Sequence, residues 1–341
     1  MICFAWRGFP QYAARCVGAF VRSVAERVVV VATRPKVPIE GMEDFCGCKL
    51  VWVDEDDRRT LEEMFGELPR ILIVTGWSVP AFNRYSASAR RNNCKVVAAV
   101  DNNYIPSFKE CIKKMRFRLF FKNRYDGYIV PGESGRRLLE YYGVERAKIS
   151  KGMYSADPSL FVNGPPLIER KKRIIFVGQF INRKNVKRMI RAFKAANCAF
   201  GEEWGLELYG SGPLRICLEE MADEHVRVHN FVQPKELAEL YHGARCFCLL
   251  SMDEHWGVVV HEAALCGCVL LLSDKVGAAD DFVGAANGFM VAPDDISSQI
   301  VAFKKIMSMD GERLAIAQEE SVRLAGTVGL KTFVEGVKNF L

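Results

Sequence analysis

The chain has 341 residues, a formal net charge of +6 and a hydrophobic half. At roughly 100–200 residues per domain that length predicts two domains, each with its own core, and excludes a disordered or collagen-like chain. The longest apolar runs, such as Val28–Ala32 and Cys268–Leu272, fall far short of the roughly 18 residues of a membrane-spanning helix. The first residues carry neither a basic head nor a cleavage site, so a cytoplasmic protein is expected.

The first half alternates short apolar strands with helical stretches. The predicted strands are Ile2–Trp6, Arg27–Thr33, Lys49–Val53, Arg70–Thr75, Lys95–Val100 and Gly127–Val130. Near-continuous apolar strands separated by helices point to a parallel sheet covered on both faces. Asp54-Glu-Asp56 imitates an Asp-x-Asp metal site, but the stretch Asp56–Glu63 reads better as a helix start with acids in its first turns. No metal site is expected. Asp101 ends the fifth strand and, as a residue alone, reads equally as the cap of the turn Asp-Asn-Asn-Tyr104. Phe108–Arg124 holds seven basic residues and one acid, interleaved with Phe108, Ile112, Met115, Phe117, Phe120 and Phe121. Such a segment is an ordinary amphipathic helix or an anionic-membrane contact; nucleic acid is the least favoured partner and is not expected. Residues 1–165 carry 26 Lys and Arg against 18 Asp and Glu, whereas residues 166–341 carry 21 against 23. The basic excess therefore lies in the first half.

Asn163–Arg173, with Gly, two prolines and four consecutive basic residues, reads as a linker. The alternation restarts with Arg173–Val177, Gly205–Tyr209, Arg227–Phe231, Cys246–Leu250, Val269–Ser273 and Phe289–Val291. The fold class is therefore α/β, with two Rossmann-like doubly wound domains, residues 1–163 and 171–329, facing a cleft. The twelve cysteines lie singly or inside apolar runs without metal-ligand spacing, and are expected as buried thiols.

Three strand ends of the second half carry chemistry. Ser251–Glu262 looks like a loop opening a helix near Gly257, where unpaired N–H groups and the helix dipole suit a phosphate. Glu254 and Glu262, on either side of that turn, suit sugar and ribose hydroxyls rather than the phosphate itself. Gly178-Gln179 leads to Arg183-Lys184 just before a helix, offering cations to a diphosphate. Gly210-Ser-Gly-Pro213 is a tight turn without the third glycine of a dinucleotide fingerprint, position 215 being Arg. An NAD-dependent oxidoreductase is accordingly disfavoured. Each segment alone also reads as ordinary loop structure with solvated charges.

In this order and spacing, the three segments resemble the retaining glycosyltransferases of GT-B fold, family 4 (glycosyl transferases group 1). The matching features are Gly178…Lys184-Asn185, Gly210-Ser-Gly-Pro213, and Glu254…Glu262 with its small-residue continuation Ala-Ala-Leu-Cys-Gly267. Ser273–Gly277 and Asn287–Asp294 are similar to further family segments. The resemblance implies a metal-independent transfer from a nucleoside-diphosphate sugar to a sugar hydroxyl, with no cofactor. It implies that Glu262 binds ribose, Glu254 the donor sugar and Lys184 the diphosphate, with the backbone of Trp256, Gly257, Val258 and Val259 holding sugar and phosphate. The family's usual Arg is Gln179 here, and Arg183 stands nearby in compensation. Gly8, in the loop Trp6–Tyr12, takes the place of a Gly-rich loop near the donor phosphates, and Asp101 that of a residue near the reacting centre. The final helix, 330–341, is expected to return to the first domain. The basic segment then suggests a glycan or glycolipid acceptor in bacterial surface polysaccharide synthesis (lipopolysaccharide, O-antigen or capsule), at the cytoplasmic face of a membrane. A nucleotide-sugar epimerase of the same fold and a non-catalytic binding scaffold are the alternatives.

Overall fold

The structure, a computed structural model, describes residues 1–35, 41–201 and 203–341. The chain divides into two compact units: Met1–Ser155 with Val328–Leu341, and Ala156–Thr327. No helix among the described residues is long and apolar enough to cross a membrane.

The first unit contains β1 (Ile2–Trp6), β2 (Val28–Ala32), β3 (Lys49–Trp52), β4 (Ile71–Thr75), β5 (Lys95–Ala99), β6 (Gly127–Val130) and β7 (Ile149–Lys151). They form one parallel sheet in the order β3-β2-β1-β4-β5-β6-β7. β1, β2 and β4 are buried along their whole length, as strands covered by helices on both faces must be. Six of these strands follow the sequence expectation to within two residues at either end. β7 does not, because its three residues carry no apolar run and only Ser150 is buried. The helix Leu330–Lys338 closes this unit by packing on the helix Gln11–Val21. Its Phe333 stacks on Phe4 at 6.1 Å.

The second unit contains β8 (Lys171–Val177), β9 (Gly205–Tyr209), β10 (Val226–His229), β11 (Ala244–Leu249), β12 (Val269–Ser273) and β13 (Gly288–Val291). These also form a parallel sheet, in the order β10-β9-β8-β11-β12-β13. The expected linker is packed structure belonging to this unit. Arg170 is only 4% exposed and its guanidinium donates to the carbonyls of Pro165 (2.9 Å) and Cys266 (2.8 Å). Gln318 accepts from the Leu167 amide and donates to Asn163 Oδ1. The division between units falls at Ser155/Ala156, ahead of that stretch. Cys3, Cys16, Cys46, Cys246, Cys248, Cys266 and Cys268 are buried free thiols, while Cys111 and Cys198 are exposed.

Candidate functional site

In both sheets the order reverses beside the first strand, between β1 and β4 and between β8 and β11. Loops leaving the carboxyl ends of strands at such a reversal splay apart and leave room for a ligand. In the second unit the two loops concerned are the ones that carry the candidate residues.

The loop after β8 runs through Gly178 and Gln179 to a 3₁₀ turn at Asn182–Lys184, and Asn185, with φ of 59°, starts the helix Val186–Asn197. The loop after β11 runs from Leu250 to Gly257, whose φ of 89° starts the helix Val258–Leu265. The Met252 amide donates to the Arg183 carbonyl (2.8 Å), joining the loops. Lys184 is buried between them and forms an ion pair with Glu254 Oε2. Arg183 Nη1 lies 3.3 Å from the same oxygen and also donates to the Asp253 carbonyl. Ser251 Oγ approaches Glu254 Oε2 at 3.5 Å. The backbone of Glu254 is fixed on both sides, its amide donating to the Lys275 carbonyl and its carbonyl accepting from the Gly277 amide. An isolated parallel bridge to Val276 thus fixes the main chain from which the carboxylate extends.

Around this pair the other expected residues take different roles. Trp256 is buried against Phe282 (5.6 Å) and contributes backbone to the loop, its carbonyl accepting from the Ala278 amide. Asp253 Oδ1 and Trp256 Nε1 are buried with no hydrogen-bond partner among the described residues. The loop therefore holds one acceptor and one donor able to meet a group from outside. Val258 and Val259, both half-buried, are the first residues of their helix, where N–H groups lack an i−4 carbonyl. Gln179 is exposed on its turn.

Glu262 lies one turn further along that helix, with the Tyr241 hydroxyl 3.5 Å from Oε2. Desolvation by the surrounding protein raises its carboxyl from the usual range to about 8, a rise only partly offset by the tyrosine hydroxyl. Its neighbour His261 is buried. The Ala156 amide donates to His261 Nδ1 (3.0 Å), which makes Nε2 the N–H that donates to the Ala325 carbonyl (3.1 Å). Burial lowers this imidazole to about 4. Neither His261, whose part is structural, nor Tyr241 stands out in the sequence, because each works through contacts with segments far along the chain.

The turn Gly210–Pro213 packs on the Gly178 turn beside it. The Gly178 amide donates to the Tyr209 carbonyl and the Phe180 amide to that of Ser211. A Cβ on Gly210 would come within 1.9 Å of the Gly178 carbonyl oxygen, and one on Gly212 within 2.6 Å of that of Phe180. The glycines are thus required by loop-on-loop contact.

Gly8 and Asp101 belong to the first unit. Gly8, with φ of 59°, donates its amide to Thr33 Oγ1 (2.7 Å), and the Tyr154 hydroxyl donates to Asp101 Oδ2 (3.3 Å). In the Asp54–Asp56 segment, Glu55 pairs with Arg7. The helix that follows is Leu61–Phe65, later than the expected start, because Thr60 and Glu63 form a capping box there.

Residues 162–321 match the family model of glycosyl transferases group 1. The chain is 26% identical over 145 residues to a 2-deoxystreptamine N-acetyl-D-glucosaminyltransferase of Niallia circulans. That match covers 41% of this chain and only 37% of the relative. Among solved structures it is similar to Anabaena Alr3699/HepE in complex with UDP, with a TM-score of 0.76 at 13% identity over 99% of this chain and 98% of that one. It is also similar to the lipopolysaccharide outer core galactosyltransferase WaaB, with a TM-score of 0.72 at 14% identity over 100% and 99%. The chain has the two-domain α/β fold of GT-B glycosyltransferases. The family match lies wholly in the second unit, and the GT-B likeness extends over both.

Proposed function

We propose that the chain is a retaining, metal-independent glycosyltransferase that moves a sugar from a nucleoside-diphosphate sugar to a hydroxyl of a glycan or glycolipid. The observation that carries the reading is the Lys184–Glu254 ion pair, with Arg183 beside it, at the strand reversal next to a helix start. In this reading the donor diphosphate takes Glu254's place on Lys184 and Arg183, which stabilise it as it leaves. The freed Glu254 carboxylate accepts hydrogen bonds from the donor sugar, the start of Val258–Leu265 faces the phosphates, and Glu262 accepts from ribose. The acceptor oxygen bonds to the sugar's anomeric carbon on the face from which the diphosphate oxygen departs. That oxygen carries away the acceptor's proton, so no protein nucleophile is needed. In the same proposal Gly8 serves the donor phosphates and Asp101 the reacting centre. UDP in complex with the similar Anabaena protein supports a nucleotide-sugar donor. The likeness to WaaB, a lipopolysaccharide outer core galactosyltransferase, supports a setting in surface polysaccharide synthesis, and the basic segment Phe108–Arg124 supports the cytoplasmic face of a membrane.

The first test is a thermal-shift titration with UDP, GDP, ADP, CDP and TDP, with EDTA or magnesium. One nucleotide should raise the melting temperature equally in both, a stabilisation of about 2.7 kcal/mol at a hundred times Kd. Glu254→Gln should abolish transfer yet bind that nucleotide at least as tightly, because Lys184 loses its internal competitor. Lys184→Gln should weaken nucleotide binding. It should also destabilise the fold by about 1–3 kcal/mol, because the partly buried carboxylate loses its buried cation while Arg183 and Ser251 stay beside it. No shift with any nucleotide at high concentration would leave a non-catalytic scaffold. Conversion of the nucleotide sugar without an acceptor would make the protein an epimerase.

A further inference from the structure

The helix Phe108–Phe120 has a finished inner face and an unfinished outer one. Inward, Phe117 is buried among Trp77 (5.6 Å), Tyr128 (6.0 Å) and Tyr142 (5.0 Å). Glu110, also buried, accepts from the Tyr142 hydroxyl and from Lys113 Nζ. Outward, Phe108, Ile112, Met115 and Leu119 are 80, 51, 61 and 71% exposed. Their spacing of i, i+4, i+7 and i+11 sets them in one line down the helix. Lys109 and Arg116 project on one side of that line and Arg118 on the other, all exposed. The only acid of the segment, Glu110, is turned inward and paired, so the outer face carries apolar and positive groups alone.

We propose that this face docks the first unit on an anionic lipid bilayer, the four apolar side chains entering the headgroup boundary and the flanking cations meeting lipid phosphates. Charge decides the occupant. A second copy would set these cations against like charges, whereas an anionic leaflet neutralises them. Nucleic acid is disfavoured because the centre of the stripe, where phosphates would need cations, is occupied by large apolar groups. A helix of 13 residues lying flat gives a contact about 20 Å long. The proposal stands independently of the donor chemistry above.

The test is sedimentation of the full chain with vesicles of phosphatidylcholine alone or mixed with phosphatidylglycerol, in low and high salt. Binding should require the anionic lipid and weaken with salt. Ile112→Glu with Leu119→Glu, and separately Lys109→Glu with Arg116→Glu, should each lower partitioning by about tenfold or more. Lys304→Glu with Lys331→Glu, an equal charge change elsewhere on exposed positions, should lower it far less. All variants should keep the melting temperature and nucleotide response of the parent, since the substituted side chains face outward. Salt-insensitive binding, equal binding to neutral vesicles, or unchanged binding by the Ile112/Leu119 variant would overturn the proposal. Absence of vesicle binding would overturn it equally; a dimer or an RNA complex dissolved by those substitutions would then assign the face to a second copy or to nucleic acid.

Discussion

His261 and Glu262 are consecutive on one helix, yet burial displaces their titrations in opposite directions, because one is charged when protonated and the other when not. The folded state keeps Glu262 protonated from its ordinary range up to about 8. Its contribution to stability is therefore full below about 4.5 and is lost as pH rises through about 8. The folded state keeps His261 neutral down to about 4, so its contribution is present above about 6.5 and lost as pH falls through about 4. Urea unfolding at pH 6 and pH 9 should show a loss of stability at the higher pH that Glu262→Gln reduces. The same carboxyl links pH to ligand binding. If ribose hydroxyls donate to it, the ionised form is the binding form, and nucleotide affinity should rise with pH towards about 8. A pH series of nucleotide titrations checks this; the slope should flatten in Glu262→Gln.

At the scale of elements, strands were far easier to read from sequence than the contacts that join them. Val28–Ala32 and Val269–Ser273 announce themselves because buried parallel strands need unbroken apolar runs, whereas Ile149–Lys151 has none. The cations at Arg183-Lys184 and the acid at Glu254 were each legible at the end of a strand. Their pairing was not, since it joins residues 70 apart and depends on strand order, which local pattern does not encode. Arg170 was misread for a related reason: a guanidinium that satisfies buried carbonyls looks, in sequence, like any other basic residue of a linker. In sequence Gly210–Pro213 reads only as a tight turn, and the structure adds a reason for its glycines, since the neighbouring Gly178 turn leaves no room for a Cβ. Gly210→Ala should drive the β8 and β9 turns apart and cost about 1–3 kcal/mol. Because Lys184 lies just beyond the displaced Gly178 turn, nucleotide binding should weaken with it, as unfolding and titration of the variant would show.

Across the whole molecule, the last fourteen residues rejoin the first unit after the second has been completed. Phe333 on Phe4, Phe340 against Gly127 and the Arg70 bond to the Leu341 carbonyl make that return part of the first unit's core and edge. The His261 ring gives this topology a further meaning. It binds Ala156 on one nitrogen and Ala325 on the other, so the second unit's first residue and one of its last are separated by the width of an imidazole and two hydrogen bonds. Seen this way, the second unit is a guest module with its ends drawn together, spliced into a host that needs only a short splice to close behind it. Such ends tolerate excision. Residues 156–327 should fold alone with a cooperative transition and retain the parent's nucleotide response, and His261→Ala in that fragment should lower its melting temperature by loosening both ends at once. A host made by joining Ser155 to Val328 should keep its sheet and its vesicle binding while losing the nucleotide.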